Sequence, residues 1–123
     1  MNADEFVAVV KMQASDSAVE GTIKTLKQPA GRKPAEKLVQ LSEWYNQLAP
    51  RDQAMLGEAL REAAEAAIFG FFCILDGVRP AEDDANKGVL ELHFLKSGER
   101  TRLNEPDQEE LHNIFNGLCL AGS

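Results

Sequence analysis

Two histidines, His93 and His112, are the side chains in this sequence best suited to acid–base chemistry or metal binding. An imidazole does either only when other polar groups converge on it. His112 and Cys119 are seven residues apart, which places them two turns apart on one side of a helix. One hypothesis is therefore a small enzyme with a site near His93 and His112. The other is that both histidines have ordinary packing or surface roles.

A second group of side chains consists of carboxylates concentrated in two short segments of the C-terminal half. They are Glu82, Asp83, Asp84, Glu105, Asp107, Glu109 and Glu110. Four of them crowd the start of a predicted last helix, where negative charge complements the helix dipole. Two such charges would suffice for that purpose. The excess predicts a negative surface on which a basic protein partner docks.

Catalytic and cofactor motifs are absent from the sequence. It contains no GxxxxGK[ST], GxGxxG, GxSxG, SxxK, HExxH or CxxC pattern. The acidic loop before Gly88 is not a calcium loop, because the third and fifth ligand positions hold Ala85 and Lys87. From sequence we therefore assign no catalytic residue, no metal ligand and no cofactor.

Net charge narrows the classes of partner. The chain has 123 residues with 13 basic and 20 acidic side chains, a formal charge of −7. Residues 1–50 are balanced, so the whole excess lies in residues 51–123. Binding to nucleic acids in general needs a basic protein surface, and so does binding to an anionic membrane. The acidic net charge disfavours both kinds of partner. An acidic chain instead attracts a basic protein and speeds its association.

Cysteine usage and hydropathy indicate a compartment. Cys73 and Cys119 both lie in apolar runs, where a free thiol behaves as a small hydrophobe. A disulfide would need an oxidising compartment. The N-terminal segment does not resemble a signal peptide. The longest apolar stretch, residues 66–75, is about half the ~20 residues that cross a bilayer. We expect a cytoplasmic protein.

Apolar periodicity predicts the helices that precede the hairpin. Residues 3–13 form either a short helix or an N-terminal strand, of which the helix is favoured, and a Ser17 to Glu20 capping box is predicted to start the next helix. After a Pro- and Gly-rich linker at 28–35, residues 35–49 form a third helical pattern. Pro50 then begins the strongest pattern, which continues to about residue 75 and ends before Gly77.

The remaining segment predicts a hairpin and a last helix. Residues 79–88 form a polar loop, and residues 89–95 and 100–103 pair around a turn. Asn104 is predicted to cap the last helix, whose apolar face includes Leu111 and Phe115. The fold class is therefore α+β and mostly helical: about four helices with a small antiparallel β-hairpin before the last helix, in a single domain over residues 1–123.

Four segments carry a resemblance: PAGRKP at 29–34, LSEWYN at 41–46, LDGVR at 75–79 and LHNIF at 111–115. Together they resemble a group of small uncharacterised bacterial proteins, over residues 17–115. That group has no assigned activity to carry over. Small acidic proteins of this kind are sometimes immunity proteins that cap a secreted toxin, so the resemblance implies such a role by analogy.

Three functions follow as hypotheses. The first is a non-catalytic acidic interaction protein, of the immunity type, that binds a basic partner such as a toxin. The second is the small enzyme near His93 and His112. The third is a structural homo-oligomer or homo-dimer that associates through Trp44, Tyr45 and the edges of the hairpin.

Overall fold

The computed structural model describes residues 1–122, and their architecture is α+β and mostly helical, as the sequence predicts. The elements are α1 (Ala3–Val10), a π-helical segment (Lys11–Asp16), α2 (Ser17–Lys27), α3 (Glu36–Gln47), α4 (Pro50–Leu75), β1 (His93–Lys96), β2 (Glu99–Arg102) and α5 (Leu111–Ala121). Because α1, the π-helical segment and α2 follow one another without a break, the helices form four rods.

The π-helical segment joins what the sequence predicts as two separate helices. Val7 and Val19 are both buried. In a regular α-helix the 12 residues that separate them make about 3.3 turns, so the two side chains would point in different directions. A π segment absorbs an extra residue, which brings the two valines back toward one side. The predicted capping box at Ser17 is wrong, because the chain is already helical there. The capping box lies instead at Asn2 and Glu5.

The first rod and α4 pack side by side in opposite directions. Phe6 meets Phe72 near one end, and Asp16 meets Arg61 near the middle. α5 packs on α1 and α4 at the first end, whereas α3 packs on α2 at the other. The main core therefore lies at the α5 end, and its fully buried members are Val7, Phe72, Leu111 and Phe115.

α4 begins and ends where local signals predict. Pro50 occupies the first turn, where its missing N–H has no partner to lose. At the other end Gly77 adopts a φ of +79°, a conformation that favours glycine. The amides of Gly77 and Val78 then bond back to Ile74 and Cys73. This turn redirects the chain into the loop that follows.

The hairpin is shorter than its sequence pattern. β1 pairs antiparallel with β2 through residues 93–96 and 99–102, so residues 89–92 lie outside the sheet. Ser97 and Gly98 both have positive φ, as a two-residue hairpin turn of type I′ requires. No helix within residues 1–122 is long and apolar enough to cross a membrane.

Asn104 does not cap the last helix, which is a correction to the sequence-based prediction. α5 begins at Leu111, and residues 105–110 form an irregular segment before it. The Asn104 side chain is used by other backbone groups, so it is not available to the amides that follow it. The acidic residues 105–109 therefore do not serve as the first turn of a helix.

Candidate functional site

A cleft of about 620 Å³ lies where the end of α4, the loop after it and the segment before α5 meet. Ligand pockets have volumes of about 300–1,000 Å³. Its apolar lining includes Leu75 from α4 with Val89 and Leu90 from the loop. Both loop side chains are exposed, since Val89 keeps 77% and Leu90 44% of their accessible surface. The cleft thus offers apolar contact that the fold itself does not use.

Asn104 holds the three walls of the cleft together. Its amide nitrogen donates to the carbonyl oxygens of Leu75 and Leu90, at 3.0 and 2.9 Å. Its amide oxygen accepts from the backbone N–H of Leu92 and from Nε of Arg102. One side chain therefore ties the end of α4 to the chain before and after the hairpin.

The two acidic segments predicted to bind a partner converge on this cleft. Glu82 comes from the loop, whereas Glu105 and Glu110 come from the segment before α5. The other four predicted residues, Asp83, Asp84, Asp107 and Glu109, are exposed but do not line the cleft. A fourth lining carboxylate, Asp76, was not among the predicted residues. The structure thus divides the predicted set into three cleft residues and four peripheral ones.

Three cations also line the cleft, and two of them already have partners. The Arg79 guanidinium lies 6.0 Å from the centre of the Phe69 ring. Arg102 lies 3.8 Å from a Glu91 oxygen and donates to Asn104. Lys87 is the third. Four carboxylates and three cations thus line the cleft, which gives its lining a formal charge of −1.

Asp76 and His112 form a pair at the edge of the cleft. The Asp76 side chain is only 3% exposed, and its Oδ2 lies 2.7 Å from Nδ1 of His112. A carboxylate only accepts hydrogen bonds, so Nδ1 carries the hydrogen. The same oxygen accepts the backbone N–H of His112 at 2.9 Å. Asp76, at the end of α4, therefore satisfies an otherwise free amide in the first turn of α5.

His93, the first residue of β1, pairs with a different carboxylate, that of Glu91 just before the strand. Its Nε2 lies 2.9 Å from Glu91 Oε1, and Arg102 approaches the same oxygen. The hydrogen bond with His93 lowers the pKa of the Glu91 carboxyl below its ordinary value, and the positive charge of Arg102 lowers it further. The structure thus assigns each histidine its own carboxylate and does not join the two in one site.

Both cysteines are free thiols in the structure. Cys73 is buried and Cys119 is partly buried. Burial raises the pKa of the Cys119 thiol to about 11, and the negative charge of Glu65 is the second largest cause. His112 instead faces Asp76 and Phe69. The predicted spacing of His112 and Cys119 therefore produces no reactive thiol–imidazole pair.

Sequence reasoning missed the roles of Asp76 and Asn104. A weak signal for Asp76 exists, since it lies between the last apolar turn of α4 and the Gly77 that ends it. Its partner is 36 residues away, a distance over which spacing carries no information. Comparison of the chain with protein-family models, with characterised proteins and with solved structures finds no match.

Proposed function

We propose that this protein is a non-catalytic interaction protein that receives a basic side chain of a protein partner in the cleft. The observation that carries the proposal is the convergence of Glu82, Glu105 and Glu110, from two segments more than 20 residues apart, on one cavity. A lysine or arginine suits such a place, because its stem contacts apolar walls while its charge meets carboxylates.

A finer form of the proposal is an immunity-type role in the cytoplasm, where the partner is a basic toxin. The acidic net charge supports it, since complementary charge raises association rates. The cleft supports a defined anchoring point within the broader negative surface. Central, well-desolvated pockets carry most of the binding energy in protein interfaces.

The division of the acidic residues supplies a matched experiment. One variant, E82Q/E105Q/E110Q, neutralises three carboxylates inside the cleft. Its control, D83N/D107N/E109Q, removes the same charge from the same two segments outside it. Each protein serves as bait in a lysate of the cells that produce it, at low and at high salt.

The proposal expects one basic protein that the wild type and the peripheral variant retain in stoichiometric amount. The cleft variant should lose it, because the anchoring carboxylates are gone. High salt should weaken retention by screening the exposed charges. If both triple variants retained the partner equally, the cleft would not be the binding site. If both lost it equally, net charge alone would account for binding.

A structural homo-oligomer is the second candidate, because α3 leaves large apolar side chains uncovered. Leu38, Leu41 and Trp44 are exposed, and Trp44 keeps 48% of its accessible surface. Tyr45, also expected at such an interface, is instead buried at 4% and is not available to a second chain. Light scattering at high protein concentration tests this candidate, since a mass of one chain would exclude it.

A further inference from the structure

We propose that Asp76, Glu110 and His112 form a binding site for a divalent transition-metal ion such as Zn²⁺, at the wall of the cleft. One potential donor atom from each residue lies within 4.8 Å of the other two. This inference goes beyond the proposed function and does not depend on it.

The donor types select the class of ion. Imidazole nitrogen with carboxylate oxygen is typical of zinc and related metals, whereas Ca²⁺ and Mg²⁺ prefer oxygen alone. Bonds of about 2.0–2.2 Å place tetrahedral donors roughly 3.3 Å apart. Asp76 Oδ2 and His112 Nδ1 are 2.7 Å apart, so on binding the ion they separate slightly and Nδ1 releases its hydrogen to solvent, while Glu110 approaches. Glu110 is exposed and can do so by changing rotamer.

The surroundings fix two of the three donors in advance. The Asp76 side chain is almost fully buried, and its Oδ2 accepts the backbone N–H of His112 and lies beside His112 Nδ1, so the two donor atoms are held together before the ion binds. His112 is buried and its ring packs edge-on to Phe69, 5.6 Å between centres. Such preorganisation lowers the entropy that binding must offset.

Three protein donors leave a coordination position open. Because Asp76 and Glu110 line the cleft, a group that enters the cleft could complete the coordination of the ion. Metal sites with three protein ligands and one open position bind exchangeable ligands in this way. The ion would also connect the end of α4 to the start of α5, as the hydrogen bonds of Asp76 already do.

The hairpin provides a natural negative control. His93 and Glu91 are 2.9 Å apart, a spacing much like that of His112 and Asp76. Their third neighbour is the Arg102 guanidinium rather than a carboxylate. A fixed positive charge repels a divalent cation, so this second histidine–carboxylate pair should not bind the ion.

The test is a titration of the full chain, without partner, with Co²⁺ followed by visible absorption and with Zn²⁺ followed by calorimetry. The variants are H112Q and E110Q, with H93Q and E109Q as matched controls. Loss of a residue that only supports a metal ligand weakens binding roughly 10–100-fold. We therefore expect one ion per chain, and affinity at least about tenfold lower in H112Q and E110Q.

H93Q and E109Q should bind the ion as the wild type does. Absence of saturable binding to the wild type would overturn the proposal. An equal loss in E109Q and E110Q would also overturn it, by showing diffuse attraction to acidic residues. Since Glu110 is exposed, E110Q keeps the test valid even where H112Q does not fold. Partner capture in the presence of a chelator separates the two proposals, because retention there supports the interaction proposal whatever the metal result.

Discussion

The two histidine–carboxylate pairs have nearly equal distances but very different consequences. His112 and Asp76 are 36 residues apart in sequence, and their contact joins α4 to α5. His93 and Glu91 are two residues apart, and their contact stays within one short segment. The Asp76 side chain is 3% exposed, whereas that of Glu91 is 49% exposed. Hydrogen-bond distance alone therefore does not show which pair the fold depends on.

The neighbours of each pair extend the contrast to function. Glu110 joins the Asp76 pair at the cleft, which concentrates negative charge around a histidine. Arg102 joins the Glu91 pair, which neutralises it. The first environment favours a bound cation, and the second favours a self-contained surface network. What a histidine can do depends on the third group beside it.

Replacement of Asp76 should have the largest effect. Asp76→Ala removes a buried carboxylate that accepts two hydrogen bonds from His112. Hydrogen bonds to charged groups contribute about 1.5–3 kcal/mol. We expect the free energy of unfolding to fall by about 2–3 kcal/mol in urea denaturation. Glu91→Ala, the control, should leave the free energy of unfolding nearly unchanged because the Glu91 side chain is half exposed. Equal losses of unfolding free energy in the two variants would show that neither burial nor sequence separation distinguishes the energetics of the two pairs.

Asn104→Ala should have the next largest effect. It tests whether another side chain that joins segments distant in sequence also contributes more to stability than one outside the cleft. The variant removes three hydrogen bonds to the backbone of Leu75, Leu90 and Leu92 and a longer one from the Arg102 guanidinium, all partly accessible to water. We expect a loss of about 1–2 kcal/mol in unfolding free energy. Amide hydrogen exchange at Leu92 should also accelerate. Asn46→Ala is the matched control, because that exposed amide bridges α2 and α3 outside the cleft. A larger loss in the control would contradict a special role for Asn104.

The sequence predicts the elements that depend on neighbouring residues. α4 begins at Pro50 and ends before Gly77 because both residues act on the backbone next to them. The hairpin turn at Ser97 and Gly98 follows from the same kind of local preference. The fold class follows from these elements and their order.

What depends on contacts between distant residues could not be predicted. The π-helical segment lies between two buried residues, Val7 and Val19, and no local pattern around Ser17 predicts it. Asn104 looks like a helix cap in sequence, yet its partners lie up to 29 residues away. At the candidate site, the sequence identified the acidic residues as candidates but not the cleft that separates three of them from the rest.

The smallest expected effect concerns the pH dependence of the hairpin pair. The hydrogen bond with His93 and the charge of Arg102 lower the pKa of Glu91 from 4.5 in the folded protein. A lowered folded-state pKa means that the ionised carboxylate is stabilised by folding. The contribution of Glu91 to the free energy of unfolding is fully present well above pH 4.5. It is lost as the pH falls through the lowered pKa of Glu91 in the folded state. A carbon-detected NMR titration of the Glu91 carboxyl should therefore show a midpoint below 4.5.

The E91Q variant connects this titration to stability. Because it has no ionisable group at this position, its unfolding free energy should lack the wild type's decline below pH 4.5 that Glu91 contributes. R102Q should move the Glu91 midpoint back toward 4.5 only in part, since the hydrogen bond with His93 is the larger cause of the shift. A complete return to 4.5 in R102Q would assign the shift to charge alone. The hairpin pair would then owe its properties to the arginine beside it rather than to the histidine.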